Sequence, residues 1–208
     1  LEDFESAKLY LDQSLSVNNS QPQALKMLAD IYRKERNPTE AIKFYEKAIE
    51  VKPNYYQSYY SLGSLLIKSD IRSAKEKLLK VVSIKPEYYK AHETLGIVNM
   101  ELNLYGEALE NFSTTIQLLE KKPPRKRSYK AFYLSSQIYL CFGDFNKAKE
   151  YAKGALDIRS NCAPAYLYLG IAEKNMNNRP AAMDAFNSAR ADKDWRESAD
   201  FEIKNYDD

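Results

Sequence analysis

Apolar residues recur along the chain with a helical period. Through most of the 208 residues they stand at positions i, i+3, i+4 and i+7, the spacing that places side chains on one face of an α-helix. Short breaks at Asn37-Pro38, Lys52-Pro53-Asn54 and Lys85-Pro86-Glu87 separate these stretches. No run of alternating apolar and polar residues indicates a strand, so the pattern predicts an all-α protein.

The helical pattern itself repeats about every 34 residues. Six alanines in register, spaced 34, 33, 34, 40 and 34 residues apart, are Ala7, Ala41, Ala74, Ala108, Ala148 and Ala182. Eleven or twelve residues before each of the last five stands another small residue, namely Ala29, Gly63, Gly96, Ser136 and Gly170. Small side chains at both places let two helices approach closely, where a large one would cost about 1–3 kcal/mol. Each period therefore predicts a helix hairpin.

Residues at the predicted helix ends support the same division. Four residues before the alanines, five of six positions hold a residue that can cap a helix, namely Asp3, Asn37, Asp70, Asp144 and Asn178. Leu104 occupies the sixth such position. Pro53 and Pro86 are predicted to end the second helices of their hairpins.

This combination resembles the tetratricopeptide repeat (TPR), over nearly the whole chain. The resemblance implies a right-handed α-α superhelix, a TPR solenoid of about five helix-hairpin repeats plus a C-terminal capping helix, forming one continuous domain. The predicted repeats are 22–55, 56–88, 89–122, 129–162 and 163–196. The remaining segments are the second helix of a truncated repeat at 1–21, a basic, proline-containing insert at 123–128 and the capping helix at 194–208.

Both ends of the chain carry further expectations. Trp195, Ala199, Ile203 and Tyr206 form one apolar stripe, which predicts that the last helix covers the final repeat. The chain opens inside a repeat, which predicts a fragment of a longer protein. Asn99 and Glu173 stand where the family usually has an aromatic residue, so we expect looser packing there.

No catalytic or metal-binding constellation is predicted. The only histidine, His92, falls between two helices of a hairpin and is expected to pack there. Cys141 and Cys162 lie 21 residues apart without a second pair, so neither a metal site nor a disulfide framework is indicated. We therefore expect no enzymatic activity in these residues and no cofactor.

Ligand contacts in the TPR family come from a fixed set of first-helix positions, which the resemblance carries onto this chain. The predicted partner-binding groove comprises Lys26, Asp30, Arg33, Tyr60, Ser64, Lys68, Lys90, Ile97, Lys130, Tyr133, Gln137, Leu167, Tyr168, Ile171 and Lys174. Tyr133 and Tyr168 are the expected aromatic anchors for a bound peptide or helix.

Residue identities argue against two family subtypes. Members that grip the C-terminal carboxylate of a chaperone use paired Lys, Asn and Arg. Lys26 and Lys90 would suit that role, whereas Asp30, Ser61 and Thr94 would not. The asparagine ladder of the sugar-transferase subtype is also missing, because its positions hold residues such as Met27, Leu134 and Tyr168.

The charge balance adds little to this interpretation. With 31 basic and 29 acidic residues, the chain shows no general attraction to nucleic acid, and no apolar run is long enough to span a membrane. The insert 121–127 concentrates five basic residues, predicted to form a solvated loop, with a nuclear-import signal or an acidic docking site as alternatives.

The leading hypothesis is a protein–protein interaction scaffold that binds a peptide or helix of a partner in its groove, within a multi-protein assembly. The alternative is a targeting or regulatory arm of a larger enzyme whose catalytic domain lies outside this sequence. A soluble, cytoplasmic protein is expected, although no residue specifies the compartment, the partner or the oligomeric state.

Overall fold

The computed structural model describes residues 3–206, apart from the side chain of Arg125. Over this range it contains α-helices, one short 3₁₀ turn and no strand, which confirms the all-α prediction. The ends of the predicted segments 1–21 and 194–208, including Asp207 and Asp208, lie outside the described residues.

The chain forms two compact units, which divide after Leu102, inside the predicted third repeat. The helices of unit 1 (Leu1–Leu102) are α1 Phe4–Val17, α2 Pro22–Lys34, α3 Pro38–Val51, α4 Tyr56–Leu66, α5 Ile71–Ile84 and α6 Tyr89–Glu101. In this unit α2 packs against α3 and α4 packs against α5.

Unit 2 (Asn103–Asp208) holds the remaining helices. They are α7 Tyr105–Leu119, α8 Tyr129–Cys141, α9 Phe145–Ile158, α10 Ala163–Asn175, α11 Arg179–Arg190 and α12 Arg196–Lys204, with a 3₁₀ turn at Pro124–Lys126 between α7 and α8. Here α8 pairs with α9 and α10 with α11.

The helix starts follow the predicted caps, with one exception. Backbone amides three residues on donate to the side chains of Asp3, Asn37, Asp70 and Asp144 over 3.1–3.2 Å. The prediction is wrong at Asn178, because its side-chain amide donates instead to Glu173 Oε2 at 2.9 Å. The bond to this buried carboxylate holds the Asn178 side chain, and its oxygen accepts no amide from the first turn of α11.

Small residues hold the hairpins together as the pattern predicted. Ala29 and Ala41 are fully buried, in one cluster with Leu62. A Cβ placed on Gly63 would lie 3.0 Å from Leu78 Cγ and 3.2 Å from the Ala74 carbonyl oxygen, so α4 and α5 leave little room for one. Gly170 is tighter still, since a Cβ there would collide with the ring of Phe186.

The two departures from the family pattern are both buried. Asn99 is 1% exposed and its side-chain oxygen has no hydrogen-bond partner among the described residues, a cost that an aromatic residue would not incur. Glu173 is 4% exposed and satisfied, because Lys149 Nζ lies 2.8 Å from its Oε1.

The final helix caps unit 2, as the apolar stripe predicted. Ala199 of α12 is fully buried, and the partly buried Trp195, Ile203 and Tyr206 pack against the cluster around Phe186.

Candidate functional site

The predicted groove residues all lie on, or one turn beyond, the first helices of the hairpins; we call the surface they form in each unit the first-helix face. In unit 1 they are Lys26, Asp30 and Arg33 on α2, Tyr60 and Ser64 on α4, Lys68 just after α4, and Lys90 and Ile97 on α6. In unit 2 they are Lys130, Tyr133 and Gln137 on α8, and Leu167, Tyr168, Ile171 and Lys174 on α10.

The first-helix face of unit 1 contains a cleft of about 560 Å³ between α2 and α4. We call it the α2–α4 cleft, and its lining residues are Arg33, Tyr60, Ser61, Ser64, Leu65, Ile67 and Lys68. Four of the predicted groove residues are in this set. The volume lies in the range of pockets that hold a small ligand or several side chains of a peptide.

A hydrogen-bonded chain of side chains fixes one wall of the cleft. Lys26 Nζ lies 2.6 Å from Asp30 Oδ2, and the Tyr45 hydroxyl donates to Asp30 Oδ1 at 2.6 Å. Arg33 in turn interacts with the Tyr45 hydroxyl. Burial, reinforced by the bond to Asp30, raises the pKa of Tyr45 to about 12, so this phenol stays neutral at physiological pH.

The network formed by Lys26, Asp30, Tyr45 and Arg33 leaves a positive charge at the cleft. Asp30 forms an ion pair with Lys26 and accepts from Tyr45, which occupies both of its carboxylate oxygens. Arg33 contacts a neutral phenol and is itself exposed. The positive charge of Arg33 therefore remains available at the mouth of the cleft.

Lys68 and Ser64 complete the polar lining. Lys68 is exposed, directly beyond the end of α4. The Ser64 Oγ is buried and has no hydrogen-bond partner among the described residues. Sequence reasoning placed both residues in the groove, but the unsatisfied hydroxyl is visible only in the structure.

The α6 part of the face is linked to α4 through aromatic and hydroxyl groups. The Tyr60 hydroxyl lies 3.5 Å from Thr94 Oγ1, and the Tyr60 ring meets the Tyr88 ring edge-on at 5.2 Å. Lys90 is exposed and Ile97 is half-buried. These contacts hold Tyr60 at the edge of the α2–α4 cleft.

In unit 2 the predicted anchors differ in exposure. Tyr133 is half-buried on α8, with its ring 6.4 Å from that of Tyr168. Nearby on the same helix, Lys130 is exposed and Gln137 is half-buried. Tyr168 is only 8% exposed, so little of its ring faces an incoming ligand.

The capping helix explains that burial. Trp195, just before α12, meets the Tyr168 ring edge-on at 6.2 Å, and Leu167 is 5% exposed in the same cluster. Ile171 packs against this cluster, and Lys174 Nζ is 2.6 Å from the Asn205 carbonyl oxygen. Much of the α10 face is thus covered within the chain. The apolar stripe of the last helix predicted that this helix covers part of the final repeat, but the sequence did not indicate which residues it would cover.

The residues weighed for chemistry lie apart from the α2–α4 cleft lining. His92 lies on α6, and its Nε2 is 2.7 Å from the carbonyl oxygen of Pro86, which lies on the loop before that helix. Cys141 is exposed and Cys162 is buried, and burial raises the pKa of the Cys162 thiol. Within residues 3–206, no three His, Cys, Asp or Glu side chains are grouped to hold a metal ion.

The basic insert folds back on itself. Arg127 Nε donates to the Lys122 carbonyl oxygen at 2.8 Å, across the 3₁₀ turn at Pro124–Lys126. Lys121 and Lys126 are exposed.

None of the described helices is both long and apolar enough to cross a membrane.

Comparison with known proteins matches the fold throughout. The family model for the tetratricopeptide repeat matches residues 22–55 and again residues 129–162. A structure described as YrrB, a TPR protein with an unusual peptide-binding site, superposes with a TM-score of 0.77 at 18% identity, over 93% of this chain and 97% of that one.

Two further structures are similar to the same extent. PilF of Pseudomonas aeruginosa has a TM-score of 0.76 at 19% identity, over 91% of this chain and 84% of its own. MamA of Desulfovibrio magneticus RS-1 has a TM-score of 0.71 at 18% identity, over 81% and 92% of the two chains. At these identities the likeness establishes the fold, an α-solenoid of helix hairpins. The two family-model matches identify residues 22–55 and residues 129–162 as tetratricopeptide repeats within this fold.

Proposed function

We propose that this protein is an interaction scaffold that binds a peptide or helix of a partner protein along its first-helix faces, principally in the α2–α4 cleft of unit 1. The observation that carries the proposal is the cleft itself, which combines the charged Arg33 and Lys68 with the aromatic Tyr60 in one concave surface. Peptide grooves typically join aromatic anchors with a polar rim in this way.

The fold supports the same role. Helix-hairpin repeats bury their cores only against their neighbours and present continuous surfaces suited to binding extended partners. YrrB, with the same fold, is described as having a peptide-binding site. The proposal assigns no catalytic step to this chain, because the cleft lining contains no histidine, cysteine or carboxylate that could act as a base or nucleophile.

A protein partner fits the charges better than a nucleic acid does. The first-helix residues that could contact a ligand mix basic side chains with the acidic Asp30, Glu93 and Glu101, and nucleic-acid binding needs a broad basic surface. A small interface with a charged rim and few aromatic anchors predicts a Kd in about the micromolar range.

The test blocks the cleft with a bulky side chain. Ser61 is half-buried and lines the cleft, so Ser61→Trp should fill it. Ser83 is exposed on α5, outside the cleft lining, so Ser83→Trp is the matched control. Affinity capture from the source cell identifies partners, and calorimetric titration of the purified partner measures Kd for each variant.

We expect Ser61→Trp to raise Kd at least tenfold while Ser83→Trp stays within twofold of the wild type, with both variants folded by circular dichroism. Equal affinities for the two variants would remove the α2–α4 cleft from the proposal.

A further inference from the structure

We propose that the α2–α4 cleft selects a partner segment in which an Asp or Glu side chain lies next to an aliphatic or aromatic one. This inference rests on the proposed function and specifies the chemistry of the partner. The acidic carboxylate would be held by Arg33 and Lys68, and its apolar neighbour would lie on Tyr60, Leu65 and Ile67.

The charge of the cleft is the first argument. Its lining contains two cations, Arg33 and Lys68, and no acidic residue. The acidic groups closest to them in sequence are already engaged. Glu35 forms an ion pair with Lys8, Asp30 binds Lys26 and Tyr45, and Asp70 caps α5 through Ser73. An anionic ligand group would therefore meet two cations without displacing an existing ion pair.

The orientation of Arg33 is the second argument. Its interaction with the Tyr45 hydroxyl orients the side chain, and Tyr45 is itself fully buried. A guanidinium has five donors in a planar fork, so one bond to a phenol leaves donors for a carboxylate. An arginine already held in place loses less conformational entropy when it binds a ligand.

The unsatisfied hydroxyl of Ser64 is the third argument. This Oγ is buried at the cleft wall and has no partner among residues 3–206, whereas most buried polar groups in proteins are hydrogen-bonded. This oxygen has under 1 Å² of accessible surface, so a ligand carboxylate or peptide carbonyl could accept from it once the side chains covering it move aside. The other orphaned hydroxyl, Ser58, is fully buried and is not part of the cleft lining.

The apolar part of the lining sets the second half of the specificity. Tyr60, Leu65 and Ile67 are half-buried and contribute aromatic and aliphatic surface beside the cations. A purely acidic segment would leave that surface uncovered. A carboxylate suits the site better than a phosphate does, because phosphopeptide sites are typically built from clusters of arginines and this cleft has one.

Selection from an unbiased library tests the proposal without knowledge of the natural partner. A random twelve-residue peptide library displayed on phage is panned against the wild-type protein, against Arg33→Gln/Lys68→Gln, and against Arg72→Gln/Lys80→Gln. Arg72 and Lys80 are exposed on α5 of the same unit, so the control removes the same two charge types outside the cleft lining.

We expect the wild type and the control to enrich peptides with Asp or Glu next to an apolar residue, and the cleft variant to lose that enrichment. The best peptide is then synthesised with its acidic residue changed to Gln. We expect this change to raise Kd at least tenfold on the wild type and less than twofold on Arg33→Gln/Lys68→Gln, because the two changes remove the same interaction.

The remaining outcomes separate the two proposals. Enriched peptides without an acidic preference, or an equal loss on the control, would overturn the acidic specificity and leave peptide binding standing. Failure of the wild type to enrich any peptide would count against the proposed function, and the specificity would fall with it.

Discussion

Gly170→Ala is the sharpest test of the close packing between paired helices. Gly170 is buried on α10, and a Cβ built there collides with the ring of Phe186 on α11. Phe186 is itself fully buried, in a cluster with Ala182 and Ala189, so the ring has no free space into which it can withdraw. The added methyl group must shift one helix against the other.

The magnitude follows from a comparison with Gly106→Ala. Gly106 lies in the first turn of α7 in the same unit, and a Cβ there meets nothing within 4 Å. Both substitutions gain up to about 1 kcal/mol of helix propensity. Only Gly170→Ala incurs overpacking, about 1–3 kcal/mol. The free energies of unfolding of the two variants should therefore differ by about 1–3 kcal/mol.

Urea denaturation followed by circular dichroism measures that difference, and thermal melting gives a second reading. For a chain of this size each kcal/mol corresponds to about 2–4 °C in Tm. We expect Gly106→Ala to match or exceed the wild type and Gly170→Ala to melt several degrees lower. Equal midpoints for the two variants would refute the claim that a small residue is required where α10 meets α11.

Three further predictions concern other parts of the chain. Burial raises the pKa of Glu173, but hydrogen bonds from Lys149 and Asn178 outweigh it, so the pKa in the folded protein lies below the ordinary value of 4.5; the ionised carboxylate therefore stabilises the fold fully above pH 4.5, and this stabilisation is lost as the pH falls through the folded pKa. In urea titrations the wild type should be more stable than Glu173→Gln at pH 7 and lose that advantage in acid. A difference in stability that does not change with pH would contradict this. Asp144→Ala should lower the free energy of unfolding by about 1 kcal/mol in the same assay because it removes a helix cap, and Asp144→Ser should restore most of that stability. Identical urea midpoints for the Ala and Ser variants would argue against capping. Tyr168→Ala should destabilise unit 2 by about 3–5 kcal/mol and shift the fluorescence emission of Trp195, because the buried Tyr168 ring contacts that indole. Tyr133 is more exposed, so Tyr133→Ala should lower the stability less; a Tyr168→Ala variant as stable as the wild type would contradict the burial of the Tyr168 ring.

The fold was largely predictable because each helix is determined by local signals. The caps at Asp70 and Asp144, the stops before Pro53 and Pro86, and the recurring small residues all act within one hairpin. Agreement among such independent signals is what makes a sequence specify one structure.

The failed cap at Asn178 shows where local reasoning ends. Its sequence position suits a cap, but Glu173 five residues earlier is buried and needs donors. The Asn178 amide is oriented by its bond to this carboxylate, which an unpaired buried charge makes costly to lose, and in that orientation its oxygen does not cap α11. Only the tertiary structure reveals that Glu173 is buried.

The candidate site was predictable in its residues but not in its exposure. Family positions selected both Arg33 and Tyr168, yet Arg33 is exposed at an open cleft while Tyr168 is covered by the capping helix. Likewise, Lys26 stands four residues before Asp30 and could be expected to pair with it, but nothing in the sequence indicated that Tyr45 would donate to Asp30. The cover of Tyr168 and the bond from Tyr45 to Asp30 both depend on side chains brought together from separate parts of the chain.

An NMR titration of the ¹⁵N-labelled protein with the best library-selected peptide tests the central claim most directly. The account predicts that the largest amide shift changes cluster on the α2 and α4 residues lining the cleft, with Arg33, Ser64 and Lys68 among them, and that the exposed side of α5 around Lys80 stays unchanged. Shift changes concentrated on α3 and α5, with the cleft residues unmoved, would contradict it.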